Sequence, residues 1–214
     1  MELIIVQPRY VRLFRKEYEV TKRIFDVTLC LLFSPLLIFL MAVCTALIWI
    51  NDPGPIFFQQ KRTGKGGRRF TMYKFRTMVK NAEELKLTYA HLNELTWPDF
   101  KITDDPRVTS IGRFLRKTSL DELPQIINVL KGDMSLVGPR PTSFAASTYH
   151  LWHTERLEVL PGITGLWQIN GRSSLDFDER LQLDIAYIEN QSLWLDIEIL
   201  FGTVTAVFSQ RGAC

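Results

Sequence analysis

From Val27 to Ile50 the chain runs for 24 residues without a charged side chain, and Leu, Ile, Phe and Val dominate the run. Apolar sequence of that length normally forms a helix in a bilayer. The run is too long and too far along the chain for a cleaved leader, and no small-residue cleavage pattern follows it. Ser34-Pro35 interrupts it. A proline there removes a backbone donor and kinks a helix, while the Ser34 hydroxyl can bond a carbonyl freed at the bend. Both flanks are basic, with Lys22 and Arg23 before the run and a longer basic segment after it. Basic flanks favour the cytoplasmic face, so a straight span sends one of them to the wrong side. A helix that bends at Ser34-Pro35 and returns satisfies both. Its limbs of roughly 11 and 15 residues reach about 16 and 22 Å at 1.5 Å per residue. A kinked single span competes with this reading, and a buried soluble core helix fits such a length less well.

Charge is unevenly spread along the 214 residues. Pro53 to Ala82 holds no acidic residue and eight basic ones: Lys61, Arg62, Lys65, Arg68, Arg69, Lys74, Arg76 and Lys80. Ser173 to Gln210 reverses the balance, with seven acidic residues against Arg180. The earlier segment therefore suits an anionic partner such as a phosphate, a nucleic acid or a membrane surface. Cys30 and Cys44 lie in the apolar run and Cys214 is remote, which is no disulfide framework. His91, His150 and His153 form no metal-ligand grouping and no Ser-His-Asp arrangement is readable.

Residues 118–141 carry the strongest chemical signal. Asp121 and Glu122 are adjacent, Arg113, Arg116 and Lys117 precede them, and Arg140 closes the stretch between Pro139 and Pro141. Ser119 and Glu122 have the spacing of a capping box, with Pro124 tolerable in the first turn and Gly132 near the helix end. Carboxylates at a helix start, with cations close by, suit metal-assisted chemistry on a phosphate. A charged first turn that only caps a helix is the competing reading.

Around these motifs the chain alternates short elements and breaks. Ile56–Gln60 and Arg69–Tyr73 pair as a small hairpin across Thr63-Gly64-Lys65-Gly66-Gly67, a basic turn that is not a P-loop. Helices are expected over Asn81–Leu95, Ser143–Arg156 and Leu175–Glu189, with a turn at Pro161–Gly165. A further helix starts after Ser192, with Ile197, Leu200, Phe201, Val204 and Phe208 aligned on a face expected to meet the core or, as the second reading, a membrane surface. The fold class is α/β, mostly helical with a small β-hairpin. The expected division is an N-terminal extension (1–21), a re-entrant membrane hairpin (22–52) and a cytoplasmic catalytic domain (53–214).

Several long motifs in order resemble one family, the monotopic polyprenyl-phosphate phosphoglycosyl transferases of bacteria. They are Lys22-Arg23-Ile24-Phe25-Asp26, Ser34-Pro35, Tyr73-Lys74-Phe75-Arg76-Thr77-Met78, Arg116 to Glu122, Gly138-Pro139-Arg140-Pro141, Pro161-Gly162-Ile163-Thr164-Gly165 and Asn170-Gly171-Arg172. The resemblance implies transfer of a sugar-1-phosphate from a nucleotide diphosphate sugar, such as a UDP-sugar, to a polyprenyl phosphate such as undecaprenyl phosphate. Nucleoside monophosphate is released, in the first membrane step of exopolysaccharide assembly. It implies Asp121 as the nucleophile that becomes bonded to the phosphosugar, and Glu122 assisting with Mg²⁺ and the acceptor phosphate. Arg116 and Arg172 match phosphate-facing arginines, Pro139-Arg140-Pro141 matches a segment at the nucleotide end, and Lys74 and Arg76 suit phosphate or the membrane interface. The expected location is the cytoplasmic face of a bacterial inner membrane, in contact with lipid. Nucleic acid is not an expected partner, and a homodimer is left open. Two other readings stand beside this one: a conventional glycosyltransferase that releases nucleoside diphosphate, and a non-catalytic scaffold of a polysaccharide assembly complex.

Overall fold

A computed structural model describes residues 12–94, 102–145, 151–170 and 176–208. Helix α1 (Arg12–Leu32) runs without a break across residues 21 and 22, the expected division between the N-terminal extension and the hairpin. Helix α2 (Ser34–Asn51) follows after a single residue, Phe33. The break falls where Ser34-Pro35 predicts it. Pro35 occupies the first turn of α2, where its missing N–H costs nothing, and Ser34 Oγ donates to the Leu31 carbonyl at 2.7 Å.

Both helices return to the same body. Cys30 of α1 is buried against Phe70, Met72, Val129 and Met134. Cys44 and Ile48 of α2 are buried against Phe75 and Leu115. Between these anchors Leu31, Leu32, Phe33, Leu36, Ile38 and Phe39 are all exposed. The apolar bend thus stands out from the rest of the protein.

The Lys22–Asp26 motif is the clamp at the base of α1. Lys22 Nζ pairs with the fully buried Asp196 at 2.8 Å, and Tyr18 and Tyr187 donate their hydroxyls to the same carboxylate. Arg23 donates to the Val129 and Leu130 carbonyls in the last turn of a helix described below, whose end exposes carbonyls to such donors. Asp26 accepts from Ser135 Oγ at 2.7 Å. A carboxylate with three donors is a buried charge whose desolvation is offset.

Strands β1 (Phe57–Thr63) and β2 (Arg69–Phe75) form the expected antiparallel hairpin, two to three residues longer than the sequence suggests. The helix expected over Asn81–Leu95 is reduced to α3 (Leu85–Thr88) and one 3₁₀ turn. Helix α4 (Ser110–Lys117) is capped by Thr109, whose side chain accepts from the Gly112 N–H. A 3₁₀ turn (Leu120–Gln125) then feeds α5 (Ile126–Lys131), which ends on left-handed Gly132.

Strand β3 (Ser135–Val137) pairs in parallel with β4 (Gly162–Thr164), so Pro161–Gly165 is a strand rather than the expected turn. Glycine makes this possible: a Cβ on Gly162 would lie 2.1 Å from the Gly138 nitrogen. A 3₁₀ segment (Leu151–Glu158) replaces the described part of the helix expected over Ser143–Arg156, and 146–150 lie outside the described residues. Three helices follow: α6 (Leu166–Asn170), α7 (Phe177–Glu189) and α8 (Leu193–Phe208). In α8 the inward side is Asp196 and Ile199. Of the expected stripe Leu200 packs on the core while Phe201 and Val204 face outward, because the Asp196 cluster and the packing of Ile199 with Val137 and Tyr187 set the helix rotation.

Candidate active site

The carboxylates are placed by what holds the 3₁₀ turn. Asn128, with no exposed surface, accepts from the Tyr73 N–H and donates to the Thr71 carbonyl, acting as a strand partner for β2. It thereby pins α5 against β2, the strand that carries Lys74. On the other side Gly112 brings α4 so close to Thr77 that a Cβ would sit 1.9 Å from the Thr77 carbonyl oxygen. The chain leading into α4 is tied down by buried Arg107, which binds Asp105 through Nε and Nη2 at 2.9 and 2.7 Å.

Between α4 and the turn, Ser119 has φ 57° and ψ 15°. A non-glycine residue in that left-handed region is uncommon and strained. Here it reverses the chain just before Asp121. The expected capping box is therefore absent: Ser119 makes no side-chain cap, and Glu122 turns to two cations instead. A true capping box starts α7, between Asp176 and Glu179.

Glu122 and Asp121, adjacent in sequence, have different surroundings. Lys74 Nζ lies 2.9 Å from Glu122 Oε1, and Arg140 forks both carboxylate oxygens, Nη1 at 3.1 Å from Oε2 and Nη2 on Oε1. A forked guanidinium on a carboxylate is among the stronger charge-assisted contacts. Burial works against the Glu122 charge, but Arg140 and Lys74 outweigh it and hold its carboxyl well below the usual range. Asp121 has one ion contact among the described residues, with Lys74 at 4.0 Å. Burial pushes its carboxyl above the usual value; Lys74 opposes this and the charge of Glu122 adds to it.

Arg116 is near without touching: its Nε donates to Thr77 Oγ1 at 3.0 Å, and its charge acts on Asp121. Arg76 stands apart from the carboxylates. Its guanidinium donates to the Asp52 carbonyl and lies 3.5 Å from the Asp52 carboxylate, closing the end of α2. Pro139, Arg140 and Pro141 line a small cavity with Thr63, Gly64 and Arg156. Ser34 and Pro35 are at the helix break, away from the carboxylates, and Arg172 lies outside the described residues.

Sequence reasoning missed three contributors. The strained Ser119 has no signal in a serine. Arg156, which donates to the Arg140 carbonyl at 2.7 Å, and its partner Asp184 belong to helices expected on other grounds. A buried arginine is visible only once its burial is.

No cluster of three or more His, Cys, Asp or Glu able to hold a metal occurs among the described residues. An all-protein cage is therefore not what this site offers. Mg²⁺ commonly binds through one or two carboxylates completed by water and substrate phosphates, and Asp121 with Glu122 fits that donor set.

The model of the bacterial sugar transferase family matches residues 17–210. The chain is 46% identical over 201 residues to the undecaprenyl-phosphate galactose phosphotransferase of Salmonella typhimurium, covering 90% of this chain and 41% of that protein. It is 44% identical to the galactosyl transferase CpsE of Streptococcus agalactiae over 95% of this chain and 45% of that one. The chain thus spans less than half the length of these two relatives. It is 40% identical to the exopolysaccharide production protein ExoY of Rhizobium meliloti, and there the match covers 90% of this chain and 87% of the relative. With the family model matching residues 17–210 of its 214, the chain belongs to the bacterial sugar transferase family.

Proposed function

We propose that the protein transfers a sugar-1-phosphate from a nucleotide diphosphate sugar to a polyprenyl phosphate, through a phosphosugar bonded to Asp121. The observation that carries this reading is the unequal environment of two adjacent carboxylates. Glu122 is locked ionised by Lys74 and Arg140, while Asp121 lacks such a lock and lies within reach of the same cations. A nucleophile must be free to bond, and the cations that neutralise phosphate charge must be held in place, which the Glu122 carboxylate does for Lys74 and Arg140.

In the first half-reaction an Asp121 carboxylate oxygen bonds to the sugar-bearing phosphorus. The phosphorus–oxygen bond to the nucleotide breaks, and nucleoside monophosphate leaves with the electron pair. In the second, a phosphate oxygen of the polyprenyl phosphate attacks the same phosphorus and frees Asp121. Lys74, Arg140 and Arg116 reduce the negative charge that two anions bring together. Bound Mg²⁺, held by Asp121 and Glu122 with substrate phosphates, would supply further charge neutralisation on phosphate oxygens.

The relatives' names support the donor and acceptor classes. They include an undecaprenyl-phosphate galactose phosphotransferase and a UDP-N-acetylgalactosamine-undecaprenyl-phosphate N-acetylgalactosaminephosphotransferase. The apolar bend supports a re-entrant seat in the membrane, with the catalytic domain on the cytoplasmic face. Both its ends are tied to one body, by Lys22 to Asp196 and by Asp52 to Arg76.

The test is a panel of nucleotide sugars with undecaprenyl phosphate, reading the released nucleotide. The reading expects nucleoside monophosphate in step with lipid-linked sugar diphosphate. Nucleoside diphosphate would instead assign a conventional glycosyl transfer, and no turnover with any donor would favour a scaffold.

A further inference from the structure

Arg140 forks Glu122, and the chain after it is held by Arg62 Nη1 on the Pro141 carbonyl at 3.3 Å and by the Thr63 N–H on the Thr142 carbonyl. This leaves the Arg140 carbonyl itself to be met from elsewhere. Pro139 and Pro141 flank it, and neither carries an N–H. The β3–β4 pairing secures the chain as far as Pro139, whose carbonyl accepts from the Gly162 N–H at 2.9 Å. At Arg140 the ladder stops. Arg156 takes over there: its Nη2 donates to the Arg140 carbonyl at 2.7 Å. The same nitrogen lies 2.6 Å from Oδ2 of Asp184. Both side chains are almost wholly buried, at 7% and 2% exposure. A buried ion pair is an expensive way to join two elements, and apolar packing would do so at least as well. An arginine placed here can do what an apolar residue cannot, which is to bind a lone carbonyl.

We propose that Arg156, held by Asp184, is a positioning residue of the transfer reaction: it fixes the Arg140 main chain and so keeps the Arg140 fork on Glu122. This rests on the role given to Glu122 above. The line runs from α7 through the 3₁₀ segment to the loop after β3 and ends at the carboxylate pair. It joins the helical C-terminal half to a site built from β2 and the 3₁₀ turn. The groups facing the carboxylates are Lys74 on β2, Arg140 on the loop and Arg116 on α4; Arg180 lies near enough to act on Asp184.

The experiment compares full-length Arg156→Gln, Arg156→Lys and Asp184→Asn with wild type, in one lipid environment. Turnover is measured per folded molecule over a range of donor concentrations, and thermal unfolding is measured in parallel. Arg156→Gln should lose about tenfold or more in kcat per folded molecule, the scale on which small misplacements are felt. Arg156→Lys, which can still reach both partners, should recover part of this loss; Asp184→Asn should fall between. A wild-type kcat per folded molecule in every folded variant overturns the proposal, because a merely structural pair would lower the folded fraction and leave that kcat in place. If Arg156→Gln does not fold, the other two variants decide by the same criterion. Asp121→Asn is assayed alongside. An active Asp121→Asn removes the functional reading itself. An inactive one, with wild-type kcat in the folded Arg156 and Asp184 variants, removes only the positioning role.

Discussion

Lys74 touches Glu122 at 2.9 Å and Asp121 at 4.0 Å, and so one ammonium faces both carboxylates. It is the strongest influence opposing the rise in Asp121. Removing it leaves burial and the Glu122 charge to raise Asp121 further. Lys74→Gln should therefore move the acidic limb of the pH–activity profile upward, with turnover falling steeply below it; a limb that moves down would contradict the assignment. Ser119 invites the opposite kind of change. At φ 57° a glycine is unstrained, so Ser119→Gly should hold or raise stability, by up to about 1 kcal/mol in denaturant unfolding. The adjacency of Asp121 and Glu122, and the arginines around them, were legible in the sequence. Their unequal environments were not, because these depend on Lys74 and Arg140, 47 residues before Asp121 and 18 after Glu122. The capping-box pattern at Ser119 misled for a physical reason: Glu122 gains more from two cations than from one backbone N–H.

At the scale of elements, long periodic segments were readable and short ones were not. The apolar run with Ser34-Pro35 announced two helices and the place where they part. The β1–β2 hairpin followed from its turn residues, and α7 from its apolar spacing. The parallel β3–β4 pair was missed because each strand is three residues long and Gly162 reads as a turn former. Its glycine serves a close approach to Gly138 instead. The contact of α4 with Thr77 is equally tight, and it gives a direct test. Gly112→Ala forces a Cβ into the Thr77 carbonyl, so α4 must shift and take Arg116 with it. We expect a loss of about 2 kcal/mol or more in unfolding free energy, together with reduced turnover. A variant as stable as wild type would mean that α4 sits further from β2 than described. Arg23 acts at the level of elements as well, since it closes the carbonyl end of α5 from the base of α1.

At the scale of the whole molecule, the apolar bend and the rest of the protein are joined through two apolar clusters and a buried carboxylate. Cys30 and Cys44 are both buried against the body, which leaves 13 residues between them to make the bend. At 1.5 Å per residue each limb of that bend rises about 10 Å, shallower than the sequence alone suggests and well short of a hydrocarbon core of about 30 Å. A bend of that height has the dimensions that the proposed re-entrant seat requires. Labelling of cysteines placed at Glu19 and Asn51, in a background without native thiols, should report both on the same side; opposite sides would require the Lys22–Asp196 and Arg76–Asp52 pairs to be broken. The proposed transfer through Asp121 is tested most directly by a single measurement: nucleoside monophosphate released from donor alone, without polyprenyl phosphate, by wild type and by Asp121→Asn. Wild type should release about one equivalent in a burst, with the mass of a sugar phosphate added to the protein, and Asp121→Asn should release none. A normal burst and full turnover from Asp121→Asn would contradict the account.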